Sequence, residues 1–328
     1  MRTIKNILPH FLSIFALLFF TGAATIGQDS TATEPSTDTT APAPKKPKPV
    51  KNTWGGIWII DNQTTMVPVK GTLEFDISHR FGVVTNGYED FWGFFANSNI
   101  RLGANYVFMD RLNVGIGITK FNVLWDLNAK YSIITQTPEK YPVSVSYYFN
   151  ASVDTQEDPV IYDGQDIQNF TDRILFFNQV LVARKFTDKL SVQVAPSWSH
   201  QNAVGGYYTK NDSTGTSIYG SMKHDHFAVA VSARYVLTPV TSIIVNFDQP
   251  LTTHPDFNPN PNISFGFEFN TSNHCFQLFA GNYYYLNPQR NNLFNNSNPI
   301  GYTDNVTHEK VKGGQFRIGF NITRLWNY

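Results

Sequence analysis

The end of the chain, from Gly313 to Tyr328 (GGQFRIGFNITRLWNY), alternates between two kinds of residue. Counting by twos from Phe316 to Tyr328 gives isoleucine or an aromatic residue at every position except Arg324, whereas the residues between them are mostly polar or glycine. A period of two places successive side chains on opposite faces of a β-strand. The stretch is therefore predicted to be a strand with one apolar and one polar environment.

The same alternation returns from Gly71 onward in stretches of about ten residues, the length at which a tilted strand crosses a bilayer. One stretch, Arg173 to Phe186, carries polar residues on both faces, so its faces stay unassigned. About twelve stretches can be counted, and single-chain bacterial barrels have an even number of strands. The predicted fold class is all-β, an antiparallel up-and-down transmembrane β-barrel of about twelve strands over residues 72–328.

The connections between predicted strands alternate in length. With the N-terminus in the periplasm, turns on that side are short, as at Asp110, and connections on the other side are long, as at Leu286 to Lys312. Outer-membrane barrels show this asymmetry, and they carry girdles of aromatic residues at both membrane interfaces. The candidate interface aromatics are Trp125 and Trp198 near one rim, and Tyr106, Tyr235, Trp326 and Tyr328 near the other.

The N-terminal part of the chain divides into three segments. Residues 1–28 have a basic start, a short apolar middle and the small residues of TGAATIG, which predicts a cleavable signal peptide, with an uncleaved anchor as the alternative. Residues 29–50, rich in Thr, Pro, Ala and Lys, are predicted to be a disordered linker. Residues 51–71 begin with an apolar patch from Trp54 to Ile60; we expect them at the periplasmic rim or in the barrel mouth, with a preliminary strand as the alternative.

Composition limits the function classes. Charged residues make up 15% of the chain, against about 25% in ordinary soluble domains. Basic and acidic residues are equal at 25 each without a polybasic region, which argues against nucleic acid as a partner. The single Cys275 excludes an intramolecular disulfide and a cysteine-rich metal site, and no metal or cofactor is predicted.

These features together predict the outer membrane of a Gram-negative bacterium as the location. The expected partners are outer-membrane lipid, the barrel-assembly machinery, which would recognise the C-terminal strand, and a small solute. The final strand itself resembles the closing strand of outer-membrane barrels.

The stretches NQTTMVPVKGTLEFDISHRFG and DFWGFFANSNIRLGANYVFMDRLNVGIGITK resemble a Bacteroidota outer-membrane β-barrel family, domain of unknown function 5777. The resemblance extends from about Trp54 to Tyr328. It implies a signal peptide and a barrel. It implies no established activity, and no catalytic or binding residue is carried over from it.

Charged residues on the polar faces of the predicted strands are the candidate functional residues, because they would face the lumen. Arg317 is expected to meet Asp76 or Glu74 when the last strand closes against the first, and Arg101 to reach them from the second strand. Such a wall can sort solutes by charge, or opposite charges can simply pair across strands and fill a narrow barrel. The candidates are Glu74, Asp76, Arg80, Arg101, Asp126, Lys130, Arg234, Glu268 and Arg317.

Three functions from different classes stay open. The leading one is an outer-membrane barrel serving as a narrow channel, a transporter or a structural membrane protein. The second is a soluble secreted or periplasmic β-sheet binding domain. The third is a barrel-based lipid hydrolase, but His79 and His200, which have outward parity, lack an outward serine beside them, so no catalytic residue is assigned. His224 and His226 flank Asp225, and two ligands without a third make a weak metal site.

Overall fold

The computed structural model describes residues 47–156, 167–210, 214–215, 217–303 and 309–327. The predicted signal peptide, and the predicted linker up to residue 46, lie outside the described residues. A closed barrel of twelve strands dominates the fold, and sequence neighbours pair antiparallel around it. In chain order the strands are β1 (Trp58–Ile59), β2 (Asn62–Gln63), β3 (Thr72–Val83), β4 (Asn99–Met109), β5 (Leu112–Thr119), β6 (Leu124–Ile134), β7 (Ser144–Asp154), β8 (Ile174–Lys185), β9 (Leu190–Gln201), β10 (Gly206–Lys210), β11 (Ser217–Ser221), β12 (Asp225–Val236), β13 (Thr241–Pro250), β14 (Asn262–Asn270), β15 (His274–Gly281), β16 (Tyr302–Thr303), β17 (Lys310–Val311) and β18 (Arg317–Asn327).

Closure depends on the last strand. β18 pairs with β15 on one side and with β3 on the other, so that Ile322 lies opposite both Phe276 and Ile77. The barrel is made of β3 to β9, β12 to β15 and β18, while β1–β2, β10–β11 and β16–β17 form separate two-stranded hairpins. The predicted antiparallel up-and-down barrel of about twelve strands is confirmed.

The two ends of the barrel differ in the length of their connections. At the end where β3 begins and β18 finishes, the strands are joined by short segments, such as residues 110–111 and 271–273; we call it the turn end. At the opposite end, the loop end, residues 202–224 and 282–316 form long connections. One of these contains the helix α1 (Pro288–Phe294). Within the described ranges, none of the helices is long and apolar enough to cross a membrane.

Alternation along each strand separates the inside of the barrel from the outside. In β3, Glu74, Asp76 and Arg80 are buried inside, whereas Phe75 is exposed on the outer surface. A closed barrel with apolar side chains outside and polar side chains inside suits a lipid environment. Lipid offers no hydrogen-bond partners, and a closed sheet has no edge strand with unpaired backbone groups.

β8, whose faces the sequence leaves ambiguous, has an apolar inner face. Leu175, Phe177, Leu181 and Ala183 are buried inside, with Gln179 among them. Phe177 packs edge-on against the inward Tyr148 of β7, with ring centroids 6.2 Å apart. The parity is hard to recognise in the sequence because both faces of this strand are largely apolar.

Candidate functional site

The lumen is filled from the turn end by the segment preceding the first barrel strand. Residues 54–66, here called the hairpin plug, are almost completely buried and contain β1 and β2. The indole Nε1 of Trp54 donates to Thr65 Oγ1 at 3.1 Å, and the hydroxyl of Thr64 donates to Gly56 O at 2.8 Å, so the two limbs are tied together. Both limbs leave through the turn end. The sequence places residues 51–71 at the rim or mouth; the structure takes the plug deeper, among the inward side chains of the barrel wall.

The tip of the hairpin plug has a strained backbone that the wall holds in place. Ile60 has φ 56°, which is uncommon for any residue but glycine and unfavourable for a β-branched one. The backbone N–H of Ile60 donates to Gln277 Oε1 at 3.0 Å, and Asn321 Nδ2 donates to Ile60 O at 2.7 Å. Strained residues persist when their surroundings fix them. The wall amides therefore stabilise a tip that the hairpin alone would not favour.

One flank of the hairpin plug contacts the wall through polar groups. Lys130 Nζ donates to Gln63 Oε1 at 2.8 Å, and Gln193 Nε2 donates to Gln63 O at 2.7 Å. Asn62 Nδ2 donates to Asp248 Oδ1 at 2.8 Å. These wall residues come from three different strands, so the plug is held from several sides. Water could replace the plug as the hydrogen-bond partner of each of these side chains.

The hairpin plug also makes apolar contacts. Ile59 and Ile60 of the plug pack with Trp54 into a buried cluster with wall residues, and Met66 packs against it. The wall members are Ala183, Ile244, Phe279 and Tyr283. Burying a large aliphatic side chain contributes roughly 1.5–3 kcal/mol. The cluster therefore adds an apolar contribution to the hydrogen bonds that hold the plug.

The base of the plug lies close to the wall because it carries two glycines. A Cβ on Gly55 would lie 2.2 Å from Glu268 Oε1 and 2.1 Å from Asn270 Nδ2, so a side chain there has no space. A Cβ on Gly56 would lie 3.6 Å from the Cβ of the inward Cys275. That separation is within the range of Cβ pairs in disulfides.

A second segment enters the lumen from the loop end. The helix α1 begins after Asn287, whose side chain accepts from Arg290 N, and its residues are buried apart from Phe294. Gln289 Nε2 donates to Asn150 Oδ1 at 2.8 Å, and Arg290 lies 3.5 Å from Asp154. We call residues 287–294 the loop plug. The two plugs meet at the tip of the hairpin, in the middle of the barrel.

Three of the predicted lumen residues form one buried ion cluster. Arg101 donates through Nε and Nη2 to the carboxylate of Asp126, both at 2.8 Å, and through Nη1 to Asp76 Oδ1 at 2.8 Å. Its guanidinium also lies 5.5 Å from the ring centroid of Trp58 in the hairpin plug. The cluster is fully enclosed by wall and plug and does not face an open pore.

Of the other six predicted charges, Arg80, Arg234 and Glu268 are in ion pairs. Arg234 Nε donates to Glu268 Oε1 at 2.6 Å. Arg80 lies 4.0 Å from Asp61 of the plug and donates to Asn321 Oδ1 at 3.0 Å. Within the described ranges, the two carboxylate oxygens of Glu74 have no hydrogen-bond partner. The observed pairing matches the alternative in which opposite charges fill a narrow barrel.

The expectation for Arg317 is wrong. It pairs in register with Val83 at the loop end, whereas Asp76 pairs with Thr323, six positions further along β18. Arg317 instead donates to Ser297 Oγ at 2.8 Å and lies over the ring of Tyr284. The alternation along a strand predicts whether a side chain lies inside or outside the barrel. Its height along the barrel axis depends on where the strand begins.

The aromatic candidates lie on the outer surface near the rims. Trp125 and Trp198 are exposed near the loop end, and Tyr106 and Tyr235 near the turn end. Trp326 is half-buried, with the guanidinium of Arg324 4.8 Å from its ring centroid, and Tyr328 lies outside the described residues. A further exposed aromatic group, which was not predicted, lies in the loop after β3 and consists of Tyr88, Phe91, Trp92 and Phe95.

The histidines do not form a hydrolytic or metal site in the part of the chain that is described. His79 stacks on Phe320 at 5.0 Å, and His200 contacts Asp225 at 2.8 Å and Asn202 at 3.1 Å; neither hydrogen-bonds a serine among the described residues. His224 and His226 diverge, because His224 bonds Gln201 O and His226 contacts His254 inside the barrel. No group of three or more metal-ligating side chains occurs within the described residues.

The residues that the sequence analysis missed are mainly amides. Gln63, Gln193, Gln277 and Asn321 take part in contacts between the wall and the hairpin plug, and Asn291 joins the two plugs. The wall amides have inward parity, so their position in the strands was available in the sequence. Their partners were not, because the approach of residues 54–66 and 287–294 to the wall follows from tertiary structure.

Comparison with known proteins places this barrel in a family. Residues 55–326 match the family described as "Membrane bound beta barrel domain (DUF5777)". No curated protein matches the chain. Among solved structures, the NanC porin covers 78% of this chain and 99% of its own at 8% identity and a TM-score of 0.41. The KdgM porin covers 77% and 98% at 9% identity and a TM-score of 0.40. The COG4313 outer membrane channel from Pseudomonas putida F1 covers 80% and 97% at 14% identity and a TM-score of 0.41.

At these TM-scores and identities, none of the three structures carries an activity to this chain. The family match confirms the predicted membrane barrel. It favours this barrel over the alternative of a soluble β-sheet binding domain. The chain belongs to the family of membrane-bound β-barrel domains designated domain of unknown function 5777.

Proposed function

We propose that the protein is an outer-membrane channel for a small solute that is closed at rest, with the turn end in the periplasm and the hairpin plug as its gate. The observation that carries this proposal is the polar wall behind the plug. Lys130, Gln193, Asp248 and Asn321 hydrogen-bond the hairpin plug. If the hairpin plug withdrew, they would line a water-filled passage as far as the loop plug, which would have to move as well for the passage to reach the loop end.

The energetics favour a gate that opens only under an input. Each hydrogen bond between plug and wall contributes about 0.5–1.5 kcal/mol net, because water replaces it when the plug leaves. The apolar side chains Trp54, Ile59 and Ile60 hold the plug more firmly, at roughly 1.5–3 kcal/mol each for the aliphatic ones. The resting channel is therefore closed, and opening needs a bound solute or a pull on the N-terminal segment.

A structural membrane protein with a permanent plug is the second candidate. The apolar cluster around Ile59 and Phe279 favours it, since a permanent filling gains stability from such packing. In that case the ion pairs and amides of the wall serve only to fill the barrel. We propose no enzymatic role, because the outward histidines lack a nucleophile among the described residues.

The two candidates differ in whether the plug can move, and Cys275 offers a way to lock it. Gly56→Cys places a second thiol beside Cys275, and oxidation would join plug and wall. Ile59→Ser removes an apolar anchor and should loosen the plug. Planar-bilayer conductance is recorded for the wild type, for Ile59→Ser, and for Ile59→Ser with Gly56→Cys under oxidising and reducing conditions. The matched control is Ile59→Ser with Gly56→Ser, which cannot be locked.

A closed channel predicts rare openings for the wild type and frequent openings for Ile59→Ser. Oxidation should silence the Gly56→Cys variant and leave the Gly56→Ser control unchanged. Heat-modifiable migration in unboiled gels verifies that each barrel is folded. A folded Ile59→Ser barrel that remains silent would refute the channel and favour the structural protein.

A further inference from the structure

The loop end contains a cavity that none of the proposed gating contacts uses. Its volume is about 290 Å³, and it is bounded by the loops that follow β9 and β13 and by the loop that contains α1. Small-molecule sites have volumes of roughly 300–1,000 Å³, so this one suits a ligand of about one ring. The cavity opens on the side of the barrel where a solute from outside would arrive in the proposed orientation.

The lining combines aromatic surfaces with hydrogen-bonding edges. Phe257, Tyr285 and Phe294 provide three rings from two different loops, and Gln201 and Asn296 provide amides. A sugar ring has faces of C–H groups and a rim of hydroxyls. Aromatic faces match the former, while amide groups, which donate and accept, match the latter.

The charge of the lining favours a neutral ligand. Asp256 contributes one carboxylate, and neither lysine nor arginine is among the lining residues. Lys223 acts electrostatically on His254 but is not itself a lining residue, so an anionic ligand lacks a direct cationic partner in the cavity. A compact cation would find one carboxylate, with Lys223 close enough to act electrostatically on His254 in the same lining.

We propose that this cavity binds a neutral saccharide ring, which is the solute class that the channel recognises at its outer face. The proposal rests on the proposed function only in calling the ligand a transported solute. The floor of the cavity includes Leu293 and Phe294, which belong to the loop plug. A ring bound there lies directly on the segment that contacts the hairpin plug through Asn291.

Isothermal titration calorimetry on the folded full chain in detergent tests the site. The probes are the neutral methyl glycosides of glucose, galactose, mannose and N-acetylglucosamine, with glucuronate and glucosamine as charged comparisons and p-cresol as an aromatic one. At least one neutral glycoside should bind more tightly than these three. Phe257→Ala should raise its Kd by about tenfold, the upper end of what one aromatic contact contributes. Tyr302→Ala, an exposed aromatic outside the cavity, should leave the Kd unchanged.

The result does not depend on whether the barrel conducts. Saccharide binding by a barrel that shows no conductance, or by the oxidised Gly56→Cys variant, would still support the saccharide site. It would argue only against a role of that site in transport. The site is overturned if none of the neutral glycosides binds, if a charged or aromatic probe binds more tightly, or if Phe257→Ala and Tyr302→Ala have equal effects. If the barrel conducts but binds none of the neutral glycosides, the proposed channel is supported and the proposed saccharide site is refuted.

Discussion

Asn291 on the loop plug donates a 2.7 Å hydrogen bond to Asp61 Oδ2 at the tip of the hairpin plug. The two residues are 230 positions apart in sequence, and they belong to segments that enter from opposite ends of the barrel. This contact is a direct hydrogen bond between the long connection that contains α1 and the hairpin plug. Disturbance of one plug therefore reaches the other without any change in the wall.

Asn291→Ala is expected to loosen the hairpin plug. It leaves one oxygen of a buried carboxylate without its donor, which costs about 1–3 kcal/mol, so exchange of the plug amides through local opening should accelerate roughly 5- to 150-fold. Hydrogen exchange followed by mass spectrometry of peptides covering residues 54–66 measures this. Asn86→Ala removes a similar amide–carboxylate hydrogen bond to Asp90 on the surface and should change nothing measurable there. Equal exchange in both variants would mean that the plugs are not coupled.

Arg101→Met should destabilise the whole barrel. It leaves Asp76 and Asp126 buried without their cation, and breaking a buried ion pair in this way costs about 3–5 kcal/mol. Denaturant unfolding in detergent, followed by tryptophan fluorescence, gives the free energy of unfolding. Arg111→Met, at an exposed position, is the control and should stay within about 0.5 kcal/mol of the wild type. Replacing Asp76 and Asp126 by Asn together with Arg101→Met should recover much of the loss.

Tryptophan quenching tests the assignment of inner and outer faces. In variants that keep one tryptophan and carry Phe at the others, Trp125 should be quenched by brominated phospholipid because it is exposed on the outer surface. Trp58 should be protected because it lies inside the barrel against Tyr148. Steady-state fluorescence in brominated and ordinary liposomes compares them. Strong quenching of Trp58 would contradict a plug enclosed by the wall.

Acidification should loosen the loop that contains His254. Burial, with a smaller effect of nearby Lys223, lowers the pKa of His254 below its ordinary value. The unfolded loop then takes up a proton more readily than the folded one, so loop stability is complete above about pH 6.5 and is lost as the pH falls below it. Exchange of residues 251–261, corrected for intrinsic rates, should be faster at pH 5 than at pH 7.5. His254→Gln should flatten this dependence, whereas His274→Gln, at the exposed start of β15, should leave it intact.

The barrel could be predicted from the sequence because its physical cause is local. Successive side chains of a strand point alternately to the lipid and to the lumen. The polarity of neighbours such as Phe75 and Asp76 therefore indicates which of them lies outside and which inside. β8 shows where that signal fails. Phe177 and Leu181 pack inside the barrel against Tyr148, Ala195 and Ala230 of other wall strands, so the inner face of β8 is as apolar as its outer face.

The contents of the lumen could not be predicted in the same way. Residues 54–60 are an apolar run too short to indicate their structure, and α1 contains polar residues that a loop would equally have. Arg317 illustrates the second difficulty, since its face was predictable but its depth depends on the register of β18 against β3. Contacts such as Asn62 with Asp248 join segments whose proximity exists only in the folded chain.

Both limbs of the hairpin plug emerge at the turn end, with the N-terminal limb continuing to Val50, which is bound to Gln136 O at 2.8 Å. Tension applied to that limb, with the other fixed to β3, peels the hairpin apart from its base. The hydrogen bonds between the two limbs, such as that from Thr64 N to Ile57 O, then break one after another, because the force acts on one of them at a time. A plug that resists thermal motion can in this way yield to a modest mechanical force applied at the turn end.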